Sequence, residues 1–503
     1  MALELGRRGA RVMILESGSL ADDTQHQAII QELNEGGTVG DAYSGLRATR
    51  HRAVGGTANV WNTEVDGSAG AKYVPLDPWD LADSDASVPG WLLDYVTLQR
   101  YYDRAQELCG LASFSYEAAD WETAGRSAFS LPNGSPLTSR IYQFGHARPF
   151  TVDHIDEFRN SDNVTLCTCS TVVELDRDSN GGVSRALVRV GISAERLTVA
   201  ARYFVLAAGA IENARLLHIA QANAAAPRFA GGEWIGRCFM EHPRDMSLTL
   251  VPTSKDVIRT AGFYDAHAAR SGALVCGRLA LNHETATTHR LPNFSITLLP
   301  KIAPPNLIRR SLQRFGWAAD RRGYGWSHNP DPAKWFSRFR ILINLEQRPH
   351  PENRVLLSRE RDALGVPRAV LHWTWSNSEQ AEWERTRSMI ASAIEAAGLG
   401  RIEGDAHARP DPNAHHHAGT TRMSEEPEWG VVDRDSRVHG TPNLYVSGAS
   451  VFPTAGYANP SLTIVALGIR LAEHLSTLIG HVASHDAAST LPASMTDRVP
   501  ASR

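Results

Sequence analysis

Three adjacent histidines, His415, His416 and His417, open the run HHHAGTTRM. A neutral imidazole accepts a proton from an alcohol near pH 7, so one of the three is a candidate base. The same triplet also reads as solvated loop residues. A shared metal ion is disfavoured, because alternate side chains of an extended segment point to opposite faces. The second chemical stretch is NLYVSGASVFPTAGYANPSLTIVALGIRLAEHL, residues 443–475. It reads as a short strand at 444–446, a tight turn over Ser447-Gly448-Ala449-Ser450, and a helix at 462–475 capped by Ser461. A helix N-terminus offers free N–H groups and the positive end of a dipole, which suits an anionic or carbonyl-rich group.

Other elements must position these residues. At the start, residues 2–8 read as the end of a helix stopped at Gly9. Four apolar residues follow at 12–15, then Glu16. A short apolar run without alternation predicts a strand buried on both faces, as in a parallel sheet. Helix, strand and acid together are the second half of a βαβ unit, and Glu16 stands where a dinucleotide-binding unit holds the ribose hydroxyls. The run RHRAVGGTANVWN places Gly55 and Gly56 together, which suits close approach of backbone to a ligand or a simple tight turn. In YFVLAAGAIENARLLHIA a buried-strand pattern passes through small residues into a helix at 211–220. Between 247 and 375, SITLLP, FRILINLEQ, NRVLLS and RAVLHWTW read as antiparallel strands. Helices are expected at 92–111 and 378–397, and the tail at 482–503 lacks periodicity and reads as disordered.

A chain of 503 residues is long enough for two domains. A formal net charge of −4 gives no reason to expect nucleic acid or an acidic membrane as partner. No continuous apolar run approaches 18 residues, so no transmembrane segment is expected, and Glu4, Arg7 and Arg8 break any signal sequence. The five cysteines are scattered and odd in number, which predicts reduced thiols and a cytoplasmic protein. Cys167 and Cys169 are expected to share one face of a strand.

Taken together, LELGRRGARVMILESG, VGGTANVWN, VLAAGAIENARLL, GRCFMEHP, PENRVLLS, HHHAGTTRM and GASVFPTAGYANPSLTIVALG, in this order, carry a resemblance. The chain resembles the glucose–methanol–choline (GMC) family of FAD-dependent oxidoreductases, in particular its bacterial pyranose-oxidase-like and sugar-dehydrogenase branch. The resemblance covers residues 1 to about 475 and implies an α/β fold, α+β overall. A Rossmann-like FAD-binding domain (1–75, 150–245 and 405–480) would be interleaved with a substrate domain on an antiparallel sheet (76–149 and 246–404). It implies oxidation of a CH–OH group, on a sugar, glycoside or polyol, with the hydride passing to flavin N5. In the H-x-x-G-T frame the base is His416, with His417 the alternative in a frame shifted by one. Its partner is Asn459, 43 residues on.

The same resemblance places the cofactor against Glu16, Gly55, Gly56, Thr57, Asn59, Val172, Ala208, Gly209, Gly448, Ala449, Asn459, Pro460 and Leu462. Val60 stands where some relatives carry a histidine bonded to the flavin, so the FAD is expected to be non-covalent. No metal is expected. The electron acceptor is left open between O2, a quinone and a carrier protein, with room for a partner subunit. Trp61, Trp373 and Trp375 are candidate sugar platforms, although tryptophan more often packs in a core. The resemblance also implies a strand and a G-x-G-x-x-G turn before Met1. Either about 20 residues lie upstream or the gene is truncated, and the intact downstream chemistry favours the first. As it stands the chain is expected to hold FAD poorly. The competing reading is an inactive flavoprotein remnant.

Overall fold

The computed structural model describes residues 1–20, 24–60, 63–65, 68–82, 88–193, 195–222, 226–302 and 324–489. Two short parallel ladders lie at the base of the site. Val12–Leu15 runs beside Val164–Cys167, and Phe204–Leu206 runs beside Leu444–Val446. Among the described residues these ladders are not hydrogen-bonded to each other. Val12–Leu15 is therefore paired along one edge only and is half covered, with Met13 53% exposed, rather than buried on both faces.

Three helices cover the ladders. Ala2–Arg7 leads into the first strand, Ala210–Gln221 follows the second ladder, and Ser461–Ser489 closes the chain. The last helix packs on Tyr95–Leu108 and on Ala2–Arg7. Leu471, Ala472 and Leu475 bury their side chains with Leu5, Ala10 and Tyr445. It continues past the end expected at 475 and eight residues into the stretch read as disordered. The first 20 residues of this helix, Ser461–Gly480, are long and apolar enough to cross a membrane by length and composition. Arg470 and Glu473 interrupt its apolar run, so no continuous stretch near 18 residues marks it in the sequence. Both charges are paired within the chain, Arg470 with Asp435 at 2.6 Å and Glu473 with Arg100 at 2.8 Å, and half of the segment is buried against the protein.

The antiparallel strands assemble as their alternation predicts. One sheet runs in the order Gly400–Gly404, Leu248–Pro252, Phe336–Leu345, Phe294–Ile302, Leu274–Leu281, Leu137–Gly145, Ser68–Tyr73, Thr63–Val65. The last two strands of this sheet fall before residue 75. Arg354–Arg361 and Pro367–Trp373 leave this sheet and pair with Gly36–Gly40. They pack on Ala210–Gln221, where Arg215 bridges to Asp362 at 2.6 Å. Alternation shows that a strand exists and says nothing of its neighbours. Helix Asn377–Ala396 is capped by Ser376 and Glu379 acting reciprocally. The buried pair of Arg387 and Asp245 (2.6 Å) pins it to the segment before Leu248.

Two local expectations are corrected here. Cys167 ends a strand, whereas Cys169 sits in a left-handed turn (φ 54°), so the pair shares no strand face; all five thiols are free. Trp373 and Trp375 are core residues, their indole N–H groups taken by Gln347 and Gln380, and Trp61 lies outside the described residues.

Candidate active site

The histidine run is held between two other segments. Ala418 and Met240 exchange both backbone hydrogen bonds, while Gly419, Thr421 and Met423 donate to Ala449, Ser450 and Val451. Gly419 has φ 86°, and a Cβ there would lie 2.1 Å from the Cys238 carbonyl oxygen, so only glycine passes. The Thr420 hydroxyl donates to the Ala210 carbonyl at 2.6 Å, tying the run to the start of a helix. The H-x-x-G-T spacing is therefore a device for aiming one imidazole.

That imidazole is His416. Its Nε2 lies 3.3 Å from Asn459 Nδ2, and its Nδ1 lies 3.0 Å from His242 Nδ1. The contacts fix the tautomer. The Asn459 amide nitrogen can only donate, so His416 Nε2 accepts and carries no proton. His416 Nδ1–H then donates to His242 Nδ1, which leaves the His242 proton on Nε2. Burial, with the neighbouring His242, lowers the His416 pKa to about 3, and burial lowers His242 to about 4 despite Glu241. Both rings are neutral at pH 7, as proton acceptance requires.

Below them sits Glu241, fully buried. It accepts from the His416 backbone N–H (2.9 Å), the His242 backbone N–H (3.2 Å) and the Tyr43 hydroxyl. His417 Nε2 lies 3.3 Å from the same carboxylate and 2.9 Å from Tyr43. Burial alone would raise this carboxyl. The hydrogen bond and charge of His417, with the Tyr43 hydroxyl, outweigh burial and hold it at about 2. The three histidines thus diverge: His415 is exposed at φ 62°, His416 meets Asn459, and His417 is built into the support. Glu241, His415 and His417 also bring ligand-type atoms within 4.8 Å of one another, a grouping that no local spacing reveals. Glu241 and His417 are already satisfied by protein partners there.

His242, Glu241 and Tyr43 were not singled out from sequence, although GRCFMEHP contains two of them. Replacing His242 with phenylalanine should leave the fold intact and free His416 to flip its tautomer. Substrate turnover is expected to fall about tenfold or more, through kcat rather than KM, and by less than loss of the base itself. Unchanged kcat would remove His242 from this role.

The residues expected to hold a cofactor lie around the two ladders. Glu16 follows the first strand; its Oε1 accepts from the Gly18 N–H at 2.7 Å, and burial raises its carboxyl above the ordinary range. Val172 lies in Ser170–Arg177 and lines a small cavity with Arg52 and Glu212. Ala208 and Gly209 form the turn after Phe204–Leu206, and Gly448 and Ala449 the turn after Leu444–Val446. Gly209 and Gly448 have φ of 83° and 122°, and a Cβ on either would meet nothing within 4 Å. Bare backbone thus faces open space at the carboxyl ends of both paired strands, which suits close approach of a dinucleotide. Asn213 couples the two turns: its Oδ1 accepts from Ala208 N–H at 2.9 Å, and its Nδ2 donates to the Ser450 hydroxyl at 3.0 Å.

Gly55 and Gly56 both have positive φ and open the short turn Gly56–Val60, which contains Thr57. Asn59 is turned inward, accepting from Thr151 and donating to the Val54 carbonyl, so its side chain staples the loop. Pro460 and Leu462 are buried at the start of the last helix, leaving backbone rather than side chain to face a ligand.

Residues 349–468 match the GMC oxidoreductase family profile. That match takes in about a quarter of the chain. Among curated proteins it is similar to paromamine 6'-oxidase of Streptomyces fradiae, 33% identical over 27% of this chain and 25% of that protein. It is also similar to the fructose dehydrogenase large subunit of Gluconobacter japonicus, 30% identical over 26% of this chain and 24% of that protein. Pyranose 2-oxidase of Tricholoma matsutake is 30% identical over 26% of this chain and 23% of that protein. The chain spans about a quarter of the length of the curated relatives it matches. Over 96% of its length the fold is similar to that of formate oxidase from Aspergillus oryzae (TM-score 0.53, 14% identity, 96% of that chain). It is likewise similar to that of pyridoxine 4-oxidase from Mesorbium loti (TM-score 0.52, 15% identity, 94% of this chain and 96% of that chain).

Proposed function

We propose that this GMC oxidoreductase chain uses non-covalent FAD to oxidise a CH–OH group, on a sugar, glycoside or polyol, to a carbonyl. One observation carries the reading: His416 Nε2 lies 3.3 Å from the Asn459 amide nitrogen. The open glycine turns at Gly209 and Gly448, joined through Asn213, support a dinucleotide cradle in the same part of the fold. Glu16, Gly56, Val172, Gly209 and Gly448 are the residues suited to hold the cofactor. FAD, when bound, supplies the acceptor for the hydride leaving the carbinol carbon.

The rest is done by the chain. His416 Nε2 takes the hydroxyl proton. The Asn459 amide donates to the same oxygen and steadies the negative charge that develops there, a contribution of about 3 kcal/mol in comparable sites. His242 keeps the basic nitrogen facing the substrate. The Glu241 carboxylate fixes the backbone at His416 and makes an imidazolium there less costly. The names of the relatives, paromamine, fructose and pyranose oxidation among them, support the substrate class.

The test supplies the chain with excess FAD, offers sugars, glycosides and polyols, and measures carbonyl product with an artificial acceptor present. Carbonyl formation that requires both FAD and His416 is the expected result. Product without added flavin, or none from any donor, would reject the assignment.

A further inference from the structure

Asn459 reaches His416 from a loop that no ladder holds. Among the described residues no backbone–backbone hydrogen bond joins 453–459 to the rest of the chain, yet 453–458 are all buried. Buried backbone of this kind must be held by side chains. At the start of the loop the Thr454 hydroxyl donates to the Asp80 carbonyl at 2.6 Å and accepts from the Trp91 indole N–H at 2.9 Å. Two residues on, Gly456 turns with φ 55°, and a Cβ there would lie 2.4 Å from Asp80 Oδ2. Main chain and side chain of Asp80 thus meet the loop at two successive places.

Asp80 is itself fixed. It is 4% exposed. Its Oδ2 accepts from the Asp77 N–H at 2.8 Å, and its Oδ1 accepts from the Asn293 amide at 2.8 Å. The second proton of that amide goes to Asp77 Oδ2 at 3.0 Å, and the Asn293 backbone N–H donates to Glu346 Oε2 at 2.9 Å. One asparagine therefore gathers three carboxylates, with Arg140 3.4 Å from the outer oxygen of Asp77. Burial, with the charges of Asp77 and Glu346, pushes the Asp80 carboxyl well up. That favours its protonated form, which asparagine imitates.

We propose that Asp80 is a positioning residue for the oxidation: by fixing Thr454 and Gly456 it sets where the Asn459 amide lies relative to His416. This rests on the oxidoreductase reading above and deepens it. Asn459 stands between two anchors, Gly456 three residues before it and the start of the last helix at Ser461 two residues after. Pro460 removes one backbone freedom between them. The stretch from Gly456 to Ser461 is short, so a shift at Gly456 reaches Asn459. A displacement of about 1 Å at a reacting group costs about a hundredfold in rate.

The test compares wild type, Asp80→Ala, Asp80→Asn and Thr454→Val as full chains supplied with FAD. Two readouts are taken: oxygen-free bleaching of the flavin by a sugar or polyol, and amide hydrogen exchange over residues 453–460 by mass spectrometry. Asp80→Ala should lower the limiting bleaching rate about ten- to hundredfold, with the half-saturating donor concentration moved less than about threefold. Exchange over 453–460 should speed up while the rest of the chain keeps its protection. Asp80→Asn should stay within about threefold of wild type, since it keeps an acceptor in the same place. On an Asn459→Ala background, Asp80→Ala should cost less than about twofold more, because the group it positions is gone. Unchanged exchange in Asp80→Ala, or a rate loss repeated in full on the Asn459→Ala background, would overturn the proposal. So would exchange raised evenly along the chain, the signature of a merely structural carboxylate. Should Asp80→Ala yield no folded chain, Thr454→Val decides from the loop side: the same local pattern supports the proposal, and wild-type rate and exchange overturn it. Exchange needs no substrate, so failure of the clamp is seen separately from failure of alcohol oxidation.

Discussion

Replacing His416 with alanine will slow substrate-driven bleaching of the flavin about a thousandfold, within the range typical for loss of a general base. FAD binding should be unaffected, since the imidazole contacts are to Asn459 and His242 rather than to the glycine turns. The wild-type rate should stay level from pH 8 to about pH 5. An exposed histidine would cut activity near 6.5, whereas burial holds His416 and His242 neutral until about pH 3 and 4. Stopped-flow absorbance in the absence of oxygen checks both statements. A variant within tenfold of wild type, or an acid limb centred near 6.5, would mean that another group takes the proton.

Replacing Glu241 with leucine is expected to cost about 3–5 kcal/mol of stability, as for breaking a buried charged network from one side. The Tyr43 hydroxyl, His417 and the backbone N–H groups of His416 and His242 would all lose their acceptor. The acid response carries the same signature. In the folded chain this carboxyl titrates at about 2 instead of 4.5. Its contribution is therefore complete above pH 4.5 and disappears as the pH falls through 2. A drop of that size corresponds to about 3 kcal/mol. Urea unfolding should show a lower midpoint for Glu241→Leu at pH 7, and a smaller difference from wild type as the pH approaches 2. Equal midpoints at pH 7 would show that the carboxylate is not the keystone described above.

What could be read in the sequence follows from how local each constraint is. The meeting of His416 with Asn459 was expected from the family resemblance, through the H-x-x-G-T frame and the run before Ser461, and the two side chains lie 3.3 Å apart. The helices at 95–108 and 377–396 were legible from periodicity and caps, to within a few residues. His242 and Glu241 were not, since their contacts with His416 cross 174 and 175 residues and follow no period. The last helix was cut short because the sequence past residue 480 loses its pattern while the backbone stays helical to Ser489. Trp373, left open between platform and core, is core, because the strand that carries it pairs with Gly36–Gly40 from the far end of the chain.

The central claim is that this chain removes hydride from a carbinol carbon while His416 takes the hydroxyl proton. The most direct measurement is single-turnover bleaching of FAD, in excess and without oxygen, by a sugar or polyol carrying deuterium on its CH–OH carbons. The account predicts bleaching by the unlabelled donor, a slower rate with the deuterated one, and none of consequence in His416→Ala. No bleaching by any CH–OH donor, or a rate indifferent to both the label and His416, would contradict it.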